Sequence, residues 1–100
     1  MSYNVVYHTQ VKNDVLRAKG WYKTKQSGLE KHFSAAVTDT IKALISNPFL
    51  FEVKYKTVRT AYTAVFPYAV HYHVNEETKT ITVLGVFHTA LSPENWLKRQ

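Results

Sequence analysis

The sequence predicts an α+β domain of two layers: an N-terminal strand, a helical hairpin, a three-stranded antiparallel meander and a short C-terminal helix. Three observations lead there. Apolar residues recur with a helical period between Val11 and Ile45, and the pattern is broken once, at Ser27-Gly28. Beyond Pro48 the chain turns to β-branched and aromatic residues with a period near two. A helical pair and a sheet each have one apolar face to bury, and packing them together buries both.

Composition narrows the function classes. The 100 residues make one domain, 1–100, because a chain this short cannot supply two cores. Hydrophobic residues are 45% and aromatics 14% of the chain, enough to fold without a covalent staple. With no cysteine there is no disulfide, thiolate zinc site, iron–sulfur cluster or cysteine nucleophile. The formal charge of +6 suits a polyanion, an acidic protein or an anionic surface. The excess is uneven: Lys12, Arg17, Lys19, Lys23, Lys25 and Lys31 face only Asp14 and Glu30. No run approaches the roughly 18 apolar residues of a membrane span. Met1-Ser2-Tyr3-Asn4 lacks the opening of a secretory signal, so a soluble cytoplasmic protein is expected.

The elements follow in order. Val5-Val6-Tyr7 reads as a strand over about 3–8. Val11, Val15, Ala18 and Tyr22 line one face of a first helix. Leu29, Phe33, Ala36, Val37, Thr40, Ile41, Leu44 and Ile45 line a stronger second one, which Asn47-Pro48 must end. Strands are expected over about 57–65, from Tyr68 to Val74 after the Phe66-Pro67 interruption, and over about 80–88 after the polar turn Asn75-Glu76-Glu77-Thr78. In the last strand, strict alternation puts Ile81, Val83 and Phe87 on one face and Leu84 with Val86 on the other. A strand apolar on both faces belongs inside a sheet. Ser92-Pro93-Glu94 opens a short helix over Pro93 to Arg99. The sheet face away from the helices has little left to cover it, and function is expected there.

These residues resemble a known family. The element order, Trp21-Tyr22, Gly28-Leu29, Asn47-Pro48, Phe66-Pro67-Tyr68, Tyr72, the strand from Ile81 to Phe87, His88 and Pro93-Glu94-Asn95-Trp96 are similar to the RelE/ParE toxin superfamily, and most of all to its ParE-type signature. The resemblance spans roughly 3–99. It implies the toxin of a type II toxin–antitoxin pair, associated with growth inhibition and plasmid stabilisation. Such a toxin needs no cofactor and is held in a hetero-oligomer by a cognate antitoxin whose C-terminal segment wraps around it. Its target would be DNA gyrase, or mRNA on the ribosome in the nuclease branch. A third reading is a non-toxic homologue that only binds antitoxin. Members often carry an arginine two or three residues after the strand-ending histidine. Here the segment reads His88-Thr89-Ala90-Leu91-Ser92-Pro93, without a cation. In the nuclease branch that cation helps stabilise the transition state, so its absence favours a target-binding toxin or a less active member.

Cutting RNA through its 2′-hydroxyl needs a base, a cation and an acid. Arg59, Tyr72 and His88 form the candidate catalytic set, in a metal-independent reaction. Arginine offers a fixed fork to phosphate, and histidine exchanges a proton near neutral pH. Alternation puts His71 and His73 on one face of their strand and Tyr72 on the other. Arg59, His71, His73, Trp96, Lys98 and Arg99 are the candidate target-binding residues, the last three because relatives engage targets through the C-terminal region. Arg59 serves either a phosphate or target contact or a structural ion pair, and Lys98 and Arg99 also suit a helix C-terminus. His71, His73 and His88 read as surface histidines rather than metal ligands, for no carboxylate has a fitting spacing. Tyr22 is expected in the core and Trp21 over the hairpin turn, with base stacking on Trp21 the rival reading.

Overall fold

The computed structural model describes residues 3–91 and 93–99. Strand β1 (Asn4–Tyr7) leads into helices α1 (Val11–Lys25) and α2 (Leu29–Ser46). Strands β2 (Val53–Tyr55), β3 (Val58–Tyr62), β4 (Tyr68–Asn75) and β5 (Thr80–His88) follow, and then the short helix α3 (Glu94–Leu97). The five strands form one sheet in the order β1-β5-β4-β3-β2, with β1 parallel to β5 and the other pairs antiparallel. Among the described residues, no helix is long and apolar enough to cross a membrane.

The hairpin forms where the sequence provides its signals. Asp14 lies in the first turn of α1 and Lys23 and Lys25 in its last, each sign matched to the helix dipole. The reversal passes through Gly28, whose φ of 92° lies in the left-handed region that favours glycine. The Gly28 N–H donates to Glu30 Oε1 at 3.0 Å, satisfying one of the helix's orphan donors. Phe33, Val37, Thr40 and Leu44 are the buried stripe of α2. Phe33, Val37 and Leu44 meet Val70, Tyr72, Ile81, Val83 and Val86 of the sheet in one apolar core. Tyr22, Phe33, Phe66 and Tyr68 form an aromatic knot at one end, with ring centroids 4.9–6.1 Å apart. Burying one such ring stabilises the fold by roughly 1.5–3 kcal/mol. Tyr22 thus joins the core as expected. Trp21 does not pack over the turn: it is 56% exposed, with the Lys25 ammonium 4.1 Å above its ring.

Two features correct the sequence reading. The meander has four strands, because the three-residue β2 precedes β3 and turns into it through Lys56 at φ 48°. Its residues are largely exposed, so no burial pattern announced it. The second correction is a bulge. His71 pairs with Gly85 but Tyr72 pairs with Val83, which leaves Leu84 as an extra residue in β5. The extra residue inverts the side-chain parity of the strand's second half. Val86 therefore joins Ile81 and Val83 against the helices, while Phe87 turns to the back face, its ring 4.9 Å from that of His71. Gly85 makes this possible, because a Cβ there would run into the Phe87 ring and lie 2.8 Å from the Arg99 guanidinium.

The back face is not bare either. Trp96 of α3 stacks 4.4 Å from Tyr55 and 5.3 Å from His71.

Candidate functional site

Arg59 and Tyr72 pair across β3 and β4 on the side facing the helices. Both are occupied by the loop after α2. Arg59 donates to the Phe51 carbonyl at 2.6 Å and the Phe49 carbonyl at 3.4 Å, with its guanidinium 5.1 Å from the Phe49 ring. Tyr72 is fully buried, and its hydroxyl donates to the Pro48 carbonyl at 2.7 Å. Burial pushes its phenol up to about 12, despite the nearby Arg59 charge. A phenol enclosed in this way has no path to a substrate. His88 stands apart from both, at the end of β5 opposite Tyr68. Its Nδ1 accepts the Ala90 N–H at 3.0 Å, so the neutral ring carries its proton on Nε2. The structure therefore does not bring Arg59, Tyr72 and His88 together.

The back face holds a different constellation. His71, 5% exposed, lies beneath Trp96 and beside Phe87, with its Nδ1 3.0 Å from the Tyr55 hydroxyl. Burial lowers His71 to about 4 and raises Tyr55 to about 12. The ring is neutral at physiological pH, and the protonated Tyr55 hydroxyl can donate to it. His73, half-buried, follows on the same face, opposite Thr82. A hollow of about 120 Å³ opens beside this cluster, lined by Lys54, Thr60, His71, His88, Thr89 and Trp96 among others. Among the described residues, no three His, Asp or Glu side chains gather as a metal-binding group.

At the C-terminus, Lys98 is exposed and Arg99 is committed. Two Arg99 nitrogens meet the Asp14 carboxylate at 2.6 and 2.9 Å. Nothing local in the sequence announces this pair, whose members lie 85 positions apart. A second feature that sequence reasoning missed is an apolar groove of about 530 Å³ between α2 and the end of β3. Ala35, Ala36 and Ala43 form its low wall, Tyr62 and Val65 its rim, and His32 and Asp39 supply polar atoms. The run of alanines on α2 was its one legible signal. Val65 is 96% exposed and has a φ of 73°, a strained setting for a β-branched residue.

One family model matches most of the chain. Residues 5–92 match the family described as the ParE toxin of the type II toxin–antitoxin system parDE. No curated protein matches the chain in sequence. Its fold is similar to that of the chromosomal ParDE toxin–antitoxin system of P. aeruginosa, with a TM-score of 0.71 at 17% identity, over 87% of this chain and 96% of that one. It is also similar to the RelBE2 toxin–antitoxin complex of Mycobacterium tuberculosis, with a TM-score of 0.62 at 17% identity over 88% and 99% of the two chains. A mutant of the E. coli toxin RelE in the free state matches at a TM-score of 0.64 and 12% identity, over 99% and 98%. At these identities the solved structures establish the α+β fold and no more.

Proposed function

The chain belongs to the ParE toxin family of type II toxin–antitoxin systems, and we propose that it arrests growth by binding an essential cytoplasmic target, DNA gyrase, without cutting RNA. One observation carries this reading. The residues that nuclease chemistry would require do not gather at one open site: Arg59 and Tyr72, paired across β3 and β4, fasten the loop after α2, and His88, apart from both, is the one of the three with a ring nitrogen unpartnered among the described residues. In-line cleavage needs base, cation and acid around a single phosphorus, and hydrogen bonds already satisfied within the fold are costly to divert. The back face, with His73 and Trp96 at or near its surface and the exposed Lys98 directly after α3, is then the target-binding side.

The cognate antitoxin is the other partner. The solved neighbours include toxin–antitoxin complexes from P. aeruginosa and M. tuberculosis. The groove between α2 and β3 supports such a partner here, because an apolar channel of about 530 Å³ fits the apolar face of a helix. The strained, exposed Val65 on its rim would gain cover. The exposed β2 at the sheet edge offers backbone groups to an added strand. The complex is accordingly a toxin–antitoxin hetero-oligomer.

Brief induction of the chain in translating cells, followed by primer extension on several messages, tests the absence of cleavage. Intact messages alongside growth arrest are expected. Discrete cuts within codons that vanish in an Arg59→Ala version would overturn the reading in favour of a ribosome-dependent endonuclease.

A further inference from the structure

Strand β1 ends at Tyr7, opposite Val83, so the edge of β5 beyond it lacks a neighbouring strand. Asp14 and Arg99 take the strand's place. The Val86 N–H donates to Asp14 Oδ2 at 3.1 Å, and Arg99 donates to the Leu84 carbonyl at 3.2 Å. Along this edge, between α1 and the C-terminal segment, runs a cleft of about 300 Å³. It shares no lining residue with the α2–β3 groove, and Arg17, Trp21, Tyr68, His88 and Leu91 stand around it.

These side chains have unused binding capacity. Arg17 is exposed, and the Asp14–Arg99 bridge that holds the other charges of this cleft does not include it. The Tyr68 hydroxyl makes no hydrogen bond among the described residues, and the Arg17 charge is near enough to act on it. His88 uses Nδ1 internally, and its Nε2 has no partner among the described residues. Trp21 presents an open indole whose visible companion is the Lys25 ammonium. The one carboxylate in the cleft, Asp14, is neutralised by Arg99. The rest of the α1 surface adds Lys12, Lys19, Lys23 and Lys25.

A guanidinium fork recognises an anionic oxyacid, and an open indole beside a phenol recognises a flat ring. We propose that this cleft binds a nucleotide, with its base against Trp21 and its phosphate held by Arg17 and His88. An acidic peptide would satisfy the cations but leave the indole unused, whereas a nucleotide uses both. The same unit could be a free mononucleotide or one residue of a single strand. In the second case the α1 lysines would meet the flanking phosphates. This site is separate from the antitoxin groove and meets the back-face hollow at His88 and Leu91.

The test is a titration of the full ¹⁵N-labelled chain, following the indole N–H signals of Trp21 and Trp96, which Trp21→Phe tells apart. The probes are adenosine monophosphate, adenosine, a ten-residue single-stranded RNA and poly-glutamate. Adenosine monophosphate is expected to shift the Trp21 signal saturably and leave Trp96 in place. Arg17→Ala should weaken that binding about tenfold, because it removes a charged hydrogen-bonding partner. Arg17 is exposed, so this variant should fold. RNA binding more than tenfold tighter, with a steep salt dependence, would identify a strand as the source. Equal affinity would identify the free nucleotide. Three results would overturn the proposal: no Trp21 shift with either nucleotide probe, equal shifts with adenosine and its monophosphate, or a response to poly-glutamate alone.

Discussion

Replacing Asp14 with alanine is expected to cost the fold about 3–5 kcal/mol, the range for breaking a buried ion pair from one side. The carboxylate serves two partners at once. It accepts the Val86 N–H at 3.1 Å, and it pairs with both terminal nitrogens of Arg99 at 2.6 and 2.9 Å. Its side chain is 3% exposed and that of Arg99 16%, so solvent screening offers little relief to the partner left behind. Removing Asp14 strands a guanidinium against the Phe87 ring and leaves a sheet-edge donor unpaired. Arg99→Ala should cost less, since the carboxylate retains the Val86 N–H. Urea unfolding of both single variants and the double variant measures this. The double variant should lose at least 1 kcal/mol less than the sum of the single losses, as expected for groups in direct contact. Additive losses, or a loss below about 1 kcal/mol for Asp14→Ala, would show that the pair does not tie the C-terminal segment to α1 and β5.

Acidification should destabilise the protein through His71. Its folded value, lowered from 6.5 to about 4 by burial, lies below that of the unfolded chain. The unfolded state therefore binds the proton first as the pH falls. The stabilising contribution of the neutral ring is complete above about pH 6.5, declines between 6.5 and 4, and is gone below 4. The full difference is about 3 kcal/mol, at 1.36 kcal/mol for each pKa unit. No carboxylate lies among the ring's partners Tyr55, Phe87 and Trp96 to soften the effect. Between pH 7 and 4.5 the wild-type chain should lose roughly 2–3 kcal/mol more than a His71→Gln variant. The variant subtracts the titration of the surface carboxylates, which both proteins share. Parallel pH profiles would mean that His71 titrates in the folded state near its ordinary value.

What the sequence made legible were features fixed by nearby residues. The α2 boundaries follow from Gly28 and Pro48, and β5 spans Thr80–His88 as its pattern of β-formers implied. What escaped depends on partners distant in sequence. The bulge at Leu84 exists because β4 and β5 pair out of step, and single-strand periodicity cannot report that. It moved Phe87 to the back face and built the enclosure around His71. Residue type alone identified Arg59, Tyr72 and His88 as reactive groups, but not their commitments. Arg59 and Tyr72 are tied to carbonyls 8 and 24 positions away. Arg99, which read as a target contact or a cation suited to a helix C-terminus, closes the uncovered edge of β5. Polar residues of a small domain are often consumed in this way, because buried backbone groups must find partners.

The same accounting shapes the functional reading. Once the internal commitments are subtracted, the surface that remains is a back face topped by Trp96, an apolar groove beside α2 and a cationic α1, all suited to binding. The most direct measurement is the supercoiling of relaxed plasmid by purified DNA gyrase in the presence of the full chain. The proposed function predicts that supercoiling is inhibited in proportion to the amount of chain added, and that prior addition of the cognate antitoxin restores it. Undiminished supercoiling by a folded preparation that still arrests growth would contradict gyrase as the target.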